Sequence, residues 1–586
     1  MTAGRSAVDP APGEDVTAGP TAVDVALDRA AARYRALVGR SRLLDAEVLE
    51  LALLSANAAH LLTYAEGNQR HLGPVTALHR SWEHLLADPP LDAAASALLE
   101  HTACRRPAAE RARKDLLALL RGRAAQRSEA AAVGPLYAQA RDVLDGVEDA
   151  LAALLERVGL RVGGAMPAAV YYRAVSTVSP ATRGKLVRAW EAQRARRTAP
   201  LLDRLDEVVR IRRARARDEG AASVLDRTLR RSSLDEGRAV AFVDAYLERA
   251  VDATGRLAAR IQATTGATDH PLDHFGAYAR SVVGGTVLPA FPLDGCLDYL
   301  AAVTRDVFGI VLTPVPSARA DEHVVLGVRD RQPVGVATFE LRRADLAGPS
   351  RDGDPAPTAD PAATLPAARV LCRHRLDTRG RRVVSFDGVH SILHEFGHVL
   401  NHWLLRRHTP SDTGLDYLPL ERIEDLSTWF EKWVYHPRFA AHLALSAADA
   451  AGLAVCARVK RLEFLAANLD RAVVAALDLD VHRSACGVEE SFRGLDARFG
   501  FGGLCRLPTV AGYLLWPLCR AYPGANLAYV WGAAFGAQAV APWSGQGPSA
   551  PDLAHASVVL GSCLDPDAPS REPDLDPLFL FYDTDG

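Results

Sequence analysis

Two histidines one helical turn apart, with a glutamate beside the first, stand in the stretch Ser391-Ile-Leu-His394-Glu395-Phe-Gly-His398-Val-Leu400. Imidazoles at positions i and i+4 leave one face of a helix and can share an ion, and zinc takes neutral histidine nitrogens readily. Glu395 lies on the flank of that face, within reach of a water held by the metal. Further on, Ile423-Glu424-Asp425 offers a carboxylate from a separate segment. Three protein ligands leave the fourth zinc position to water, the arrangement of a catalytic site. His394 and His398 are therefore candidate ligands of Zn²⁺, with a carboxylate of this second segment as the third, and Glu395 is the candidate base.

These residues need two helices to hold them. The spacing predicts a helix from Val389 to Leu404, with Val389, Ile392, Leu393, Phe396, Leu400, Trp403 and Leu404 on one apolar stripe and the two histidines nearly opposite. Asp387, just before that run, reads as its N-cap. A second helix is predicted around Ile423, Leu426, Trp429, Phe430 and Trp433, carrying one inward carboxylate from among Glu421, Glu424 and Glu431. Glu431 reads either as a partner for a ligand histidine or as a surface carboxylate. Gly397, inside the first helix, costs about 1 kcal/mol relative to alanine and so marks close approach by a neighbouring segment.

The rest of the 586-residue chain is mostly helical in pattern. Amphipathic stretches run near Val23–Ala65, Ala94–Arg123, Leu136–Val158, Pro180–Arg217 and Asp235–Thr264, and the arginines from 210 to 217 read as a solvated face. Short strands are predicted at Val311–Val315, His323–Val328, Val334–Leu341 and Arg369–Arg375, so a small sheet directly precedes the histidine helix. Arg369–Arg375 is either an edge strand that pairs with a peptide or an ordinary structural strand. Residues 347–365, rich in Pro, Gly and Asp, read as a surface excursion suited to a lid. Later helices are predicted at Ala440–Cys456, Arg458–Leu479 and Glu489–Phe499. A loop at Pro523-Gly524 then leads to a helix starting at Tyr529, and a phenol there either packs or stabilises an oxyanion near the metal.

Composition excludes several classes of function. With 68 basic and 71 acidic residues the net charge is −3, which favours neither nucleic acid nor an anionic membrane. No apolar run reaches transmembrane length. Eight scattered cysteines form no CxxC pair, pointing to reduced thiols and a cytoplasmic location. The first twenty residues lack a basic stretch followed by an apolar core, so 1–21 reads as a disordered tail.

The segment Val384-Ser-Phe-Asp-Gly-Val-His-Ser-Ile-Leu-His394-Glu395-Phe-Gly-His398 resembles the "FDEVETLFHEFGH" segment of the thimet oligopeptidase and neurolysin group of zinc metallopeptidases, which includes the dipeptidyl carboxypeptidase and oligopeptidase F types. Phe396 and Gly397 match inside the motif. Ile423-Glu424-Asp-Leu-Ser427-Thr-Trp-Phe-Glu431-Lys-Trp433 is similar to the family's "VEAPSQMLENW", which puts Glu424 in the place of the third ligand. Val307-Phe-Gly309 and Val334–Leu341 resemble its sheet, and Tyr522 with Tyr529-Val-Trp531 resembles its "GGYDAQYYGYLWS". The resemblance implies a mainly α, neurolysin-like fold, with two helical lobes flanking a deep channel and a small β-sheet next to the HExxH helix. Residues 22–300 would form the N-terminal lobe and 301–586 the catalytic lobe.

It implies a zinc-dependent endopeptidase of short peptides. Glu395 would activate the zinc-held water, and Tyr529, with Tyr522, would hydrogen-bond the oxyanion. The departures lie in recognition. Pro517 stands where the family has a substrate-binding histidine, Asn526 where it has a tyrosine, and residues 344–351 do not match its "GKxxGA" loop. The alternatives are a peptidase dedicated to one peptide, such as a biosynthetic precursor, and a zinc protein that binds peptides without cutting them.

Overall fold

The computed structural model describes residues 31–583 apart from 53, 56–87, 161–169, 172–173, 176, 231, 268–269, 318–320, 344–366, 406–417, 515–522, 544–558 and 560–569. The tail at 1–21, the lid at 347–365, the loop at 344–351, Pro517 and Tyr522 lie outside the described residues.

The architecture is mainly α with one small sheet. Pro107–Arg157 (α1), Pro180–Asp218 (α2) and Glu236–Thr265 (α3) are the long helices of the first half. Where the sequence suggested two helices ending and starting around residues 123 and 136, α1 runs unbroken for 51 residues through Pro135. Its length is set by packing against α2, which overrides the local break signal. The arginine-rich face of α2 is only partly solvated. Arg212 is buried and donates to Glu129 of α1 at 2.9 Å, and Arg213 caps the carbonyls of Val481 and Ala485 at 2.8 and 2.9 Å.

Six strands follow in the order β1-β6-β5-β4-β3-β2. They are Phe291–Pro292 (β1), Val311–Val315 (β2), Glu322–Arg329 (β3), Gln332–Arg343 (β4), Ala367–Leu376 (β5) and Arg382–Val384 (β6), with Leu293–Phe308 (α4) after β1. β5 pairs in parallel with β4 from Ala367 to His374, but its pairing to β6 covers Arg375 and Leu376 alone. Among the described residues, the outer side of 367–374 is thus a sheet edge.

Phe386–Leu404 (α5) lies on this sheet. Phe339 of β4 stacks on Phe396 of α5 with centroids 5.8 Å apart. Gly327 and Gly335 are cross-strand partners, and both lie under the Trp403 indole, where any Cβ would overlap the ring. The glycine pair is a slot cut to one side chain, which fixes α5 along the sheet. The helix begins three residues earlier than the Val389 start that the sequence suggested. Ser385, in extended conformation, accepts from Gly388 N at 3.2 Å and is the N-cap, whereas Asp387 sits in the first turn and pairs with Lys460 at 2.9 Å.

Asp425–Glu431 (α6), Ala447–Arg483 (α7), Asn526–Val540 (α8) and Asp576–Tyr582 (α9) complete the frame. The two stretches that sequence read as separate helices before and after 457 are largely one, α7. Two cores meet around α8. One contains the sheet, α5 and α6; the other joins α3 to α7, so residues before 300 and after 420 share it. Trp531 of α8 packs on Phe242 of α3 in the second core at 4.8 Å, while Ala539 and Val540 belong to the first. Replacing Gly335 by alanine should lower stability by about 1–3 kcal/mol, because the methyl group takes space held by the Trp403 ring. Chemical denaturation of the metal-free protein measures this, and an unchanged midpoint would show that the slot has slack.

Candidate metal centre

Three helices come together with almost no side chain between them. A Cβ on Gly397 of α5 would stand 2.5 Å from the Ser427 Cα of α6. One on Gly532 of α8 would stand 2.6 Å from the Glu424 Cβ, and one on Gly536 would stand 2.8 Å from the Thr428 carbonyl carbon. α6 is therefore held between α5 and α8 by backbone contact on both sides. The Thr428 hydroxyl, 2.6 Å from the Glu424 carbonyl and 2.7 Å from that of Gly532, ties the second pair.

This packing brings the three sequence-identified donors to one point. His394 and His398 project from successive turns of α5 with ring centroids 5.1 Å apart. Glu424 is the residue immediately before α6, not inside a helix as expected, and its Oε2 lies 3.4 Å from His394 Nε2 and 3.3 Å from His398 Nε2. Ligand atoms about 2.1 Å from a tetrahedral zinc are about 3.4 Å from each other, so these separations fit the ion. All three donor atoms lie within 4.8 Å of one another, and they form the single such cluster found among the described residues.

The surrounding hydrogen bonds aim the donors. His394 Nδ1–H donates to Glu431 Oε2 at 2.7 Å, in the tautomer that leaves the Nε2 lone pair facing the cluster. The Ser427 hydroxyl donates to Glu424 Oε2 at 2.6 Å. Burial disfavours the charge of Glu424, yet His398, His394 and Ser427 outweigh it and hold the carboxyl at about 2. Burial likewise opposes ionisation of Glu431, and His390, Lys432 and His394 together keep it well below the usual carboxylate range. Burial disfavours a charged His394 too, but the hydrogen bond and charge of Glu431, with Glu424 and Glu395 nearby, raise it. Glu395 is half-buried on the flank of α5, next to His394.

Tyr529 stands just under one turn before Gly532, the residue seated on Glu424, so it leaves α8 on nearly the same side; it is 46% exposed. The entry to α8 is anchored from below. Gly524, with φ of 79°, turns the chain so that its N–H donates to Asp478 Oδ1 at 2.9 Å. The Asn526 side-chain amide donates to Asp478 Oδ2 at 3.0 Å, and His482 completes the fully buried Asp478. Sequence reasoning missed this anchor. It also missed His390, which lies one turn before His394 with Nε2 3.6 Å from Glu431 Oε1, a spacing that the i−4 position already offered. Glu421, a candidate inward carboxylate, belongs elsewhere: it accepts from Ser232, Ser233 and Ser570 and holds the ligand segment to distant chain.

No family model matches the chain. In sequence it is similar to Oligopeptidase A of Escherichia coli (strain K12), 30% identical over 87 residues, and equally to that of Salmonella typhimurium. The aligned stretch is 15% of this chain and spans 13% of either relative's length. In structure it is similar to a candidate peptidase from Chlamydophila abortus, with a TM-score of 0.52 at 12% identity, covering 96% of this chain and 90% of that one. The two share a fold. A candidate oligoendopeptidase F from Bacillus anthracis str. Ames aligns over 94% of this chain and 97% of its own, with a TM-score of 0.44 at 12% identity.

The donor geometry sets an expected metal stoichiometry. The protein should bind one zinc ion per chain, His398→Ala and Glu424→Ala should abolish this, and Glu431→Gln should weaken it by about 10–100-fold. Elemental analysis with chelator competition reads all three, and full zinc occupancy in Glu424→Ala would remove Glu424 from the donor set.

Proposed function

We propose that this chain is a zinc metallopeptidase that hydrolyses internal bonds of short peptides. The observation that carries the reading is the meeting of His394 Nε2, His398 Nε2 and Glu424 Oε2 at tetrahedral spacing, with Glu395 beside them. The fold shared with a candidate peptidase and the short likeness to Oligopeptidase A support it.

Zinc, when bound by these three residues, supplies Lewis acidity toward the peptide carbonyl and makes a water easier to deprotonate. Glu395 takes the proton that the attacking water gives up and returns it to the departing amine nitrogen. Tyr529, together with Tyr522, donates a hydrogen bond to the carbonyl oxygen as it gains negative charge. The substrate backbone adds to the sheet edge at 367–374, where main-chain groups give affinity without regard to side chains. The lobes that the resemblance implies would flank a channel that admits flexible peptides, and the core shared by α3 and α7 would join them. The net charge of −3 gives no drive toward nucleic acid, and among the described residues no helix is long and apolar enough to cross a membrane. Six described cysteines are free, which supports the cytoplasm as the compartment.

One observation favours a narrower reading, a peptidase dedicated to a particular peptide. Asn526 replaces a tyrosine of the resembled segment, and its amide is committed to Asp478 instead of a ligand. The test is mass spectrometry of a mixed-length peptide library with zinc-loaded protein. Cleavage of many short peptides is expected, lost with a chelator and in Glu395→Gln, and lowered about 10²–10³-fold in kcat by Tyr529→Phe. Cleavage of a single sequence would support the dedicated reading, and equal cleavage by Glu395→Gln would remove Glu395 as the base.

A further inference from the structure

Lys432 has no counterpart in the resembled segment, where asparagine stands, and it is fully buried beside the metal centre. Its ammonium pairs with Glu431 Oε1. The other oxygen of the same carboxylate, Oε2, is the one that accepts from His394 Nδ1–H at 2.7 Å. Two rings of α9 also face the ammonium: the centroids of Phe581 and Tyr582 lie 5.9 and 5.4 Å from Lys432 Nζ. Those rings are themselves fixed. Tyr582 stacks on Phe464 of α7 at 3.7 Å, and Phe581 meets Tyr435 edge-on at 5.3 Å with the Arg461 guanidinium 4.6 Å from its centroid.

Resting on the reading of His394 as a metal ligand, we propose that α9 is part of the support of the metal centre, and that Lys432 is the positioning residue through which it acts. A buried ammonium needs both an anion and a polarisable surround, and here Glu431 supplies the first and the α9 rings supply the second. With the rings in place Lys432 holds Glu431 Oε1, so Oε2 is committed to His394 and the imidazole keeps Nε2 on the ion. Without them the ammonium turns toward water, and Glu431 is free to rotate toward His390, whose Nε2 is already 3.6 Å from Oε1. α9 thus sets metal affinity although it contributes no ligand.

The experiment compares zinc affinity by chelator competition, and the visible spectrum of the Co²⁺-substituted protein, across ring and lysine variants. Phe581→Leu with Tyr582→Leu, and separately Lys432→Met, should each weaken zinc by about 10–100-fold and alter the Co²⁺ bands. Tyr582→Phe, which keeps the ring, and Leu580→Ala, at a position 75% exposed on the same helix, should match wild type in both. Circular dichroism of each metal-free variant establishes that it is folded, and should Lys432→Met not fold, the ring pair decides. Wild-type zinc affinity and Co²⁺ bands in the folded ring variant would overturn the role of α9 alone. Failure of the wild type to take up zinc would overturn the metal reading and this proposal with it.

Discussion

The candidate metal centre depends on the distance between two helix backbones at Gly397. α6 is only seven residues long, too short to be stable by itself, so its position is whatever its neighbours impose. A side chain at 397 would hold it off α5, and one at 532 would hold it off α8. With hydrogen at both positions Glu424 reaches within 3.4 Å of both histidines. The same logic operates one layer out, where Gly327 and Gly335 receive Trp403 and so fix α5 on the sheet.

Close packing of this kind buries charge, and four buried carboxylates are each compensated in their own way. Glu424 is matched by the histidines and Ser427, Glu431 by two histidines and Lys432, Glu421 by three serine hydroxyls, and Asp478 by backbone N–H, Asn526 and His482. Removing a partner from a buried pair typically costs about 3–5 kcal/mol, several times the worth of an exposed pair. These anchors also connect far-apart chain. Glu421 links the ligand segment to residues 232–233 and 570, and Asp478 links α7 to the start of α8. Positions of the donors and of Tyr529 are thereby set by the whole frame, not by the local helices alone.

The division of labour follows. The side of the site that would handle the metal is built from helices whose carboxylates Glu424 and Glu431 are buried and hydrogen-bonded. The side that would meet a peptide is a sheet edge and the exposed phenol of Tyr529. Asn526 belongs to the first kind although its counterpart in the resembled segment belongs to the second, because its amide satisfies a buried carboxylate. Likeness at 12% identity over nearly the whole chain is what such a design permits, since packing of helices constrains pattern and volume more than residue type.

Local periodicity alone was enough to read the helix carrying His394 and His398 and the four longer strands, because those features repeat over a few residues. Gly397 was legible as a close approach for the same reason: a helix-interior glycine is a local cost that needs a nearby cause. What spacing could not carry were contacts across long separations. The choice between a surface and a partner role for Glu431, the replacement of Asp387 by Ser385 as N-cap, the unbroken α1 and α7, and the roles of Lys432, Asp478 and Glu421 were decided by tertiary structure. For Glu431, Lys432, Asp478 and Glu421 the deciding group comes from tens to hundreds of residues away, and its desolvation, not its position in the chain, determines what it must bind.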